Sequence, residues 1–119
     1  MARFVVLGLA VTAGVYLWMT GATNAKLHLG EYEQAVAWLR RAIEANRNYP
    51  MAFFYLAAAL AQLGRLDEAR SAVKAGLALN PAFTLSRTRA SGSALSDDPA
   101  YLAGHENILE GLRKAGVPE

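Results

Sequence analysis

The sequence LGEYEQA at residues 29–35 recurs as LGRLDEA at residues 63–69, a shift of 34 positions. Leucine, glycine and alanine repeat in register, and the same shift places Asn46 on Asn80. A fixed internal period of this length is typical of arrays in which each repeat is one supersecondary unit. The sequence therefore predicts two copies of one structural unit.

The residues between the repeated motifs favour helices. Alanine and leucine, which have high helix propensity, dominate the middle of the chain, where no alternation typical of strands is found. Gly30 and Gly64 stand where each chain reversal is expected, because such a turn commonly needs a left-handed backbone without a Cβ. Pro50 suits a first helical turn, and Pro81 stops the helix before it. We expect a helix through about residue 29 and further helices at residues 32–45, 50–63 and 66–79.

This pattern of glycine, alanine and period resembles the tetratricopeptide-repeat (TPR) family, whose unit is a pair of antiparallel helices. The resemblance covers residues 16–83 and implies an all-α solenoid of two antiparallel helix pairs. TPR arrays present the first helix of each pair along a groove that grips a peptide or a partner helix. By register, the residues that would line such a groove are Asn24, His28, Met51, Phe54, Ala58 and Gln62.

The chain after the repeats changes in texture. Residues 84–98 are rich in Ser, Thr, Asp and Arg and predict a connector. Asp98 and Pro99 then supply a helix cap and a first-turn proline. An apolar stripe from Tyr101 to Leu112 predicts a helix over residues 99–115 that covers the end of the array.

The first twenty residues form an apolar segment, and no charged residue occurs from Phe4 to Ala25. This length approaches the roughly 20 residues of a membrane-spanning helix, so a membrane anchor is one hypothesis. A second hypothesis is an apolar N-terminal helix that packs on the repeats, and a third is a secretory signal cleaved near Thr20. The first two predict an inner-membrane-anchored and a cytoplasmic protein, respectively, and the sequence leaves them open.

Three segments carry a narrower resemblance. Residues 37–50 (AWLRRAIEANRNYP), 56–81 and 102–119 (LAGHENILEGLRKAGVPE) resemble the C-terminal TPR region of bacterial class III adenylate cyclases. In such proteins the catalytic domain lies upstream, and none of it is present in these 119 residues. The resemblance implies a regulatory or assembly role without cyclase activity. An alternative hypothesis is therefore a non-catalytic fragment of a cyclase-like protein.

The composition argues against a catalytic or metal-binding site. The chain has no cysteine, and its two histidines, His28 and His105, lie in different predicted elements without a catalytic or metal-binding set around them. The net charge of +2 comes from scattered residues, so no nucleic-acid partner is predicted. We expect no enzyme activity, no cofactor and no metal. The predicted partner is a protein, a peptide or a domain of a parent assembly, with membrane attachment and self-association left open.

One set of basic side chains lies on neighbouring repeats and allows two interpretations. It could form a stripe toward an acidic partner or anionic lipid, or it could simply be a solvated face. The members are Arg40, Arg41, Arg65, Arg70 and Lys74.

Overall fold

The computed structural model describes residues 26–27 and 30–119, apart from the side chain of Ser93. In that part of the chain the fold is helical throughout, without strands. The helices are α1 (Tyr32–Ala45), α2 (Pro50–Gln62), α3 (Leu66–Leu79), α4 (Leu85–Leu95) and α5 (Pro99–Lys114).

The predictions for the N-terminal segment concern residues that lie mostly outside the described part of the chain. The apolar segment 1–20 lies outside the described residues, as does the predicted first repeat helix except for Lys26 and Leu27, which are helical. Among the described helices, none has the length and hydropathy to cross a membrane.

The repeat helices α1, α2 and α3 confirm the predicted bounds to within one residue. The turns confirm the role of the glycines, since φ is +78° at Gly30 and +81° at Gly64. At the second turn the Gly64 N–H donates to Ala61 O at 3.1 Å and the Arg65 N–H donates to Leu60 O at 2.9 Å. This pair of bonds is the Schellman motif, which satisfies the last carbonyls of a helix and reverses the chain.

Helix α2 lies at the centre of the fold and packs against α1, α3 and α5. The Phe54 ring is fully buried and stacks on Phe83, with ring centroids 3.6 Å apart. Gly76 of α3 makes room for this ring, because a Cβ at that position would lie 2.9 Å from a Phe54 ring carbon. Burial of one such aromatic side chain contributes about 1.5–3 kcal/mol. Phe54 therefore links α2, α3 and the chain segment that follows α3.

Helix α5 lies along α2 with its backbone in close contact. A Cβ at Gly111 would lie 2.7 Å from Ala58 O, and the Gln62 amide donates to Asn107 O at 2.6 Å. Ala58 precedes Gln62 in α2, whereas its partner Gly111 follows Asn107 in α5, so the two helices are antiparallel. The helix begins where the sequence predicts, and the Asp98 carboxylate accepts from the Tyr101 N–H at 3.0 Å. The apolar side chains that α5 buries are Ile108, Leu109 and Leu112.

The prediction of a connector over residues 84–98 is wrong, because α4 occupies Leu85–Leu95. The Thr84 hydroxyl caps this helix by accepting from the Arg87 N–H at 3.2 Å. Leu85 is fully buried, and its N–H donates to Pro118 O at 2.9 Å. This helix has no apolar stripe in the sequence, because Leu85 is its one fully buried large side chain among those described.

We predict that Gly111→Ala lowers the free energy of unfolding by about 1–3 kcal/mol, because the added methyl group meets the Ala58 backbone and forces α5 outward. This figure is the net loss, after the intrinsic preference of a helix for alanine over glycine has offset about 1 kcal/mol of the steric cost. Chemical denaturation followed by circular dichroism measures the difference.

Gly64→Asn is the matched control for Gly111→Ala. No atom lies within 4 Å of a Cβ at Gly64, and asparagine tolerates a left-handed backbone. Its loss should stay below about 1 kcal/mol. An equal or smaller loss for Gly111→Ala would contradict the close contact between α5 and α2.

Candidate interaction surface

The face of α2 that was predicted to line a peptide groove is covered by other parts of the same chain. Phe54 is 0% exposed and Ala58 is 1% exposed, so the expectation that they face an open groove is wrong for both. Gln62 is half-buried, and its side-chain amide donates a hydrogen bond to the Asn107 carbonyl of α5. The physical reasons are the Phe83 ring, which stacks on Phe54, and the close fit of Gly111 in α5 to the Ala58 backbone. Asn24 and His28 lie outside the described residues.

Met51, the remaining predicted groove residue, is half-buried in an open cleft of about 330 Å³ between α2 and the α4–α5 hairpin. Helix α2 and the turn after α3 form one wall, and α4 and α5 form the other. The lining is mainly apolar and aromatic with a few polar groups, which is the usual make-up of a binding pocket. The lining residues are Met51, Tyr55, Asn80, Ala82, Phe83, Arg87, Thr88, Ser91, Gly92, Leu95, Tyr101, His105 and Ile108.

His105 joins the two helices of the hairpin wall. Its ring lies against Gly92, where a Cβ would come within 2.0 Å of Nε2. Nε2 lies 3.1 Å from Thr88 O and donates to it, because a carbonyl oxygen can only accept. The ring is also stacked on Tyr101, with centroids 6.1 Å apart. His105 is therefore a packing residue that fixes α4 against α5.

The cleft carries a positive charge that is not neutralised within the described part of the chain. Arg87 lines the cleft, is exposed, and makes no hydrogen bond or ion pair through its side chain with a described residue. Two positions further along α4, Arg89 pairs with Glu106 of α5 at 3.1 Å. Among the described residues that line the cleft, none is an aspartate or a glutamate. The cleft thus offers an apolar interior with a guanidinium at its edge.

The basic side chains on the outer face of the repeats are largely paired. Arg40 lies 3.7 Å from Glu68, and Arg65 lies 3.7 Å from Glu33, so both pairs connect the first repeat to the second. The Arg41 guanidinium lies 5.5 Å from the Trp38 ring centroid. Exposed pairs of this kind contribute about 0–1 kcal/mol each. This face is therefore mixed in charge and does not form a continuous basic stripe.

Two protein-family models match the chain. One, described as TPR repeat, matches residues 24–64, and the other, described as Tetratricopeptide repeat, matches residues 50–83. The chain is a TPR protein. No curated protein and no solved structure matches it. The matched residues include α1, α2 and α3 of the TPR protein and stop before α4, so the cleft joins a repeat helix to a hairpin outside the matches.

Sequence reasoning missed the α4 side of the cleft, including Arg87 and Leu95, because it placed them in a connector. A signal for this helix was present in the period. One further step of 34 residues from Pro50 reaches Thr84, the cap of α4, and the same step from Leu66 reaches Ala100, in the first turn of α5. The TPR spacing therefore continues into the last hairpin, although the repeat motif itself does not.

Within the described residues of this TPR protein, no group of three or more His, Cys, Asp or Glu side chains could hold a metal ion. The cleft presents aromatic rings, methyl groups and hydrogen-bonding groups, which are the groups that protein interfaces commonly contain.

The phenol of Tyr55 in the cleft predicts a loss of stability in alkali. Burial raises the pKa of Tyr55 above 10.0, and repulsion from Tyr49 and Tyr101 raises it further. Unfolded tyrosine loses its proton near pH 10, whereas folded Tyr55 keeps it to a higher pH. Its contribution to the free energy of unfolding is therefore complete below about pH 10 and falls as the pH rises beyond it.

Urea denaturation between about pH 9 and pH 11 measures this dependence. We expect the free energy of unfolding to fall less steeply with pH in Tyr55→Phe than in the wild type. Tyr32→Phe, on α1, controls for the loss of one hydroxyl group. An identical slope in the wild type and in Tyr55→Phe would show that the Tyr55 phenol is not desolvated in the cleft.

Proposed function

We propose that this TPR protein is a protein–protein interaction module and that its docking site is the cleft between α2 and the α4–α5 hairpin. TPR repeats generally mediate contacts between proteins, and the cleft is the part of the described surface that suits such a contact. It combines an apolar, aromatic interior with Arg87, whose guanidinium has no partner among the described residues. The role is that of a scaffold or regulatory domain without catalysis of its own.

The usual groove is a poorer candidate along α2, because a partner would first have to displace α5. That step would expose Ile108, Leu109 and Leu112, which are each at most 2% exposed. At about 1.5–3 kcal/mol for each side chain, the cost is roughly 5 kcal/mol or more before any new contact forms. The cleft requires no such rearrangement, since Met51 and Leu95 are accessible in the folded chain.

Site-specific photocrosslinking in the native host tests the docking site. A benzophenone amino acid replaces Leu95, which lines the cleft and is 78% exposed, so that folding is little affected. The same group at Lys74, exposed on α3 and absent from the cleft lining, is the control. We expect an adduct after irradiation from position 95 and not from position 74, and the mass of the adduct identifies the partner. Equal adducts from both positions, or none from position 95, would contradict a docking site in the cleft.

The second candidate is the cyclase-like fragment, favoured by the resemblance of residues 102–119 to class III adenylate cyclases. An antibody against residues 100–119 distinguishes the two in soluble and alkali-washed membrane fractions of native cells. We expect a band at the 12.8 kDa of the chain, the size of an independent module. A much larger band would instead support a fragment of a longer protein. A 12.8 kDa band that resists the alkali wash would support the membrane anchor predicted over residues 1–20, and a soluble one would contradict it.

A further inference from the structure

We infer that the partner in the cleft is a second copy of this chain, with residues 95–97 of each copy seated in the cleft of the other. This inference rests on the proposed docking site and names its occupant. The α4–α5 turn presents an apolar side chain followed closely by a carboxylate, and the cleft presents an apolar interior with a guanidinium at its edge. The two surfaces belong to the same molecule and complement each other.

Leu95 is the apolar part of the inserted segment. At 78% it is the more exposed of the two large hydrophobic side chains that stand out on the described surface, since Leu79 is 41% exposed. It lies at the C-terminal end of α4, directly before the turn. An exposed leucine beside an open apolar cleft gains stability when a partner covers it.

Asp97 is the charged part of the inserted segment. It is exposed and makes no hydrogen bond or ion pair through its carboxylate with a described residue. The neighbouring Asp98 differs, because its carboxylate caps α5. Ser96 is extended, with φ −161° and ψ 147°, so Leu95 and Asp97 are separated by about 6–7 Å of chain. One segment can therefore place a leucine inside a cleft and a carboxylate at its edge, beside the guanidinium of Arg87.

A twofold axis explains why one chain carries both halves. Leu95 borders the cleft of its own copy, so two copies brought together at this edge can exchange their turns reciprocally. In such a closed dimer, residue i of one copy meets residue j of the other and the reverse contact follows by symmetry. Each dimer would bury two leucines and form two Arg87–Asp97 ion pairs. The contact is small, so the dimer should be reversible and depend on concentration.

Reversed charges in the full-length chain test the inference. Arg87→Glu sets two carboxylates against each other at this contact, and Asp97→Arg sets two guanidinium groups against each other. Each variant alone therefore has two repulsive pairs in its homodimer. We expect sedimentation equilibrium to give a dissociation constant at least about tenfold higher for either variant than for the wild type. In a mixed dimer of the two variants, one contact joins the two native charges and the other joins the two reversed ones, so both are attractive. Native mass spectrometry of the mixture should show mainly this mixed dimer.

Lys74→Glu changes the net charge by the same amount as Arg87→Glu but lies outside the cleft, and it should keep the wild-type dissociation constant. A monomeric wild type at all concentrations would overturn the inference. So would homodimers of both variants as tight as the wild type, or a mixture without preference for the mixed dimer. If the photocrosslink from position 95 then has a mass other than twice 12.8 kDa, the cleft docks a different protein and only the second-copy partner is wrong. If no crosslink forms, the docking site itself is wrong.

Discussion

The close approach of α5 to α2, at Gly111 and Ala58, is the contact on which the rest of this structure depends. It exists because Gly111 has no side chain to hold the two backbones apart. Two TPR repeats alone seldom bury enough apolar surface to be stable, and α2 is buried along nearly its whole length. Helix α5 supplies the third neighbour of α2, where a longer array would have another repeat. The chain thereby completes its own core.

The same contact decides which surface is left for partners. By covering α2 around Ala58, α5 helps to close the groove that TPR arrays usually offer, and α4 packs on α5 as an outer layer. Helix α4 packs on α5 and has few buried apolar side chains, so local opening should be easier there than in α2. Closure of the core and formation of the cleft are therefore two results of one packing event.

The sequence predicted α1, α2 and α3 to within a residue because their signals are local. Gly30, Gly64 and Pro50 mark the ends, and the period of 34 fixes their spacing. It also predicted α5, through its cap and stripe, but not the face on which α5 packs. That choice depends on the fit of Gly111 to Ala58, which are far apart in sequence and meet only in three dimensions. The cleft was missed for two reasons: α4 lacks an apolar stripe, so only the 34-residue period signals it, and the position of α4 depends on α5, whose packing face has no local signal.

The pattern of surface charge gives a reason to distinguish stability from recognition in this molecule. Pairs such as Arg65 with Glu33 and Arg89 with Glu106 bring elements of one chain together, but each contributes little in water. The absence of a partner for Arg87 or Asp97 among the described residues therefore costs the monomer little. At an interface the same charges act differently, because like charges repel wrongly placed partners and opposite charges set the register of an apolar contact. A leucine alone would adhere to many surfaces, whereas a leucine followed by a carboxylate selects a cleft with a guanidinium at its edge.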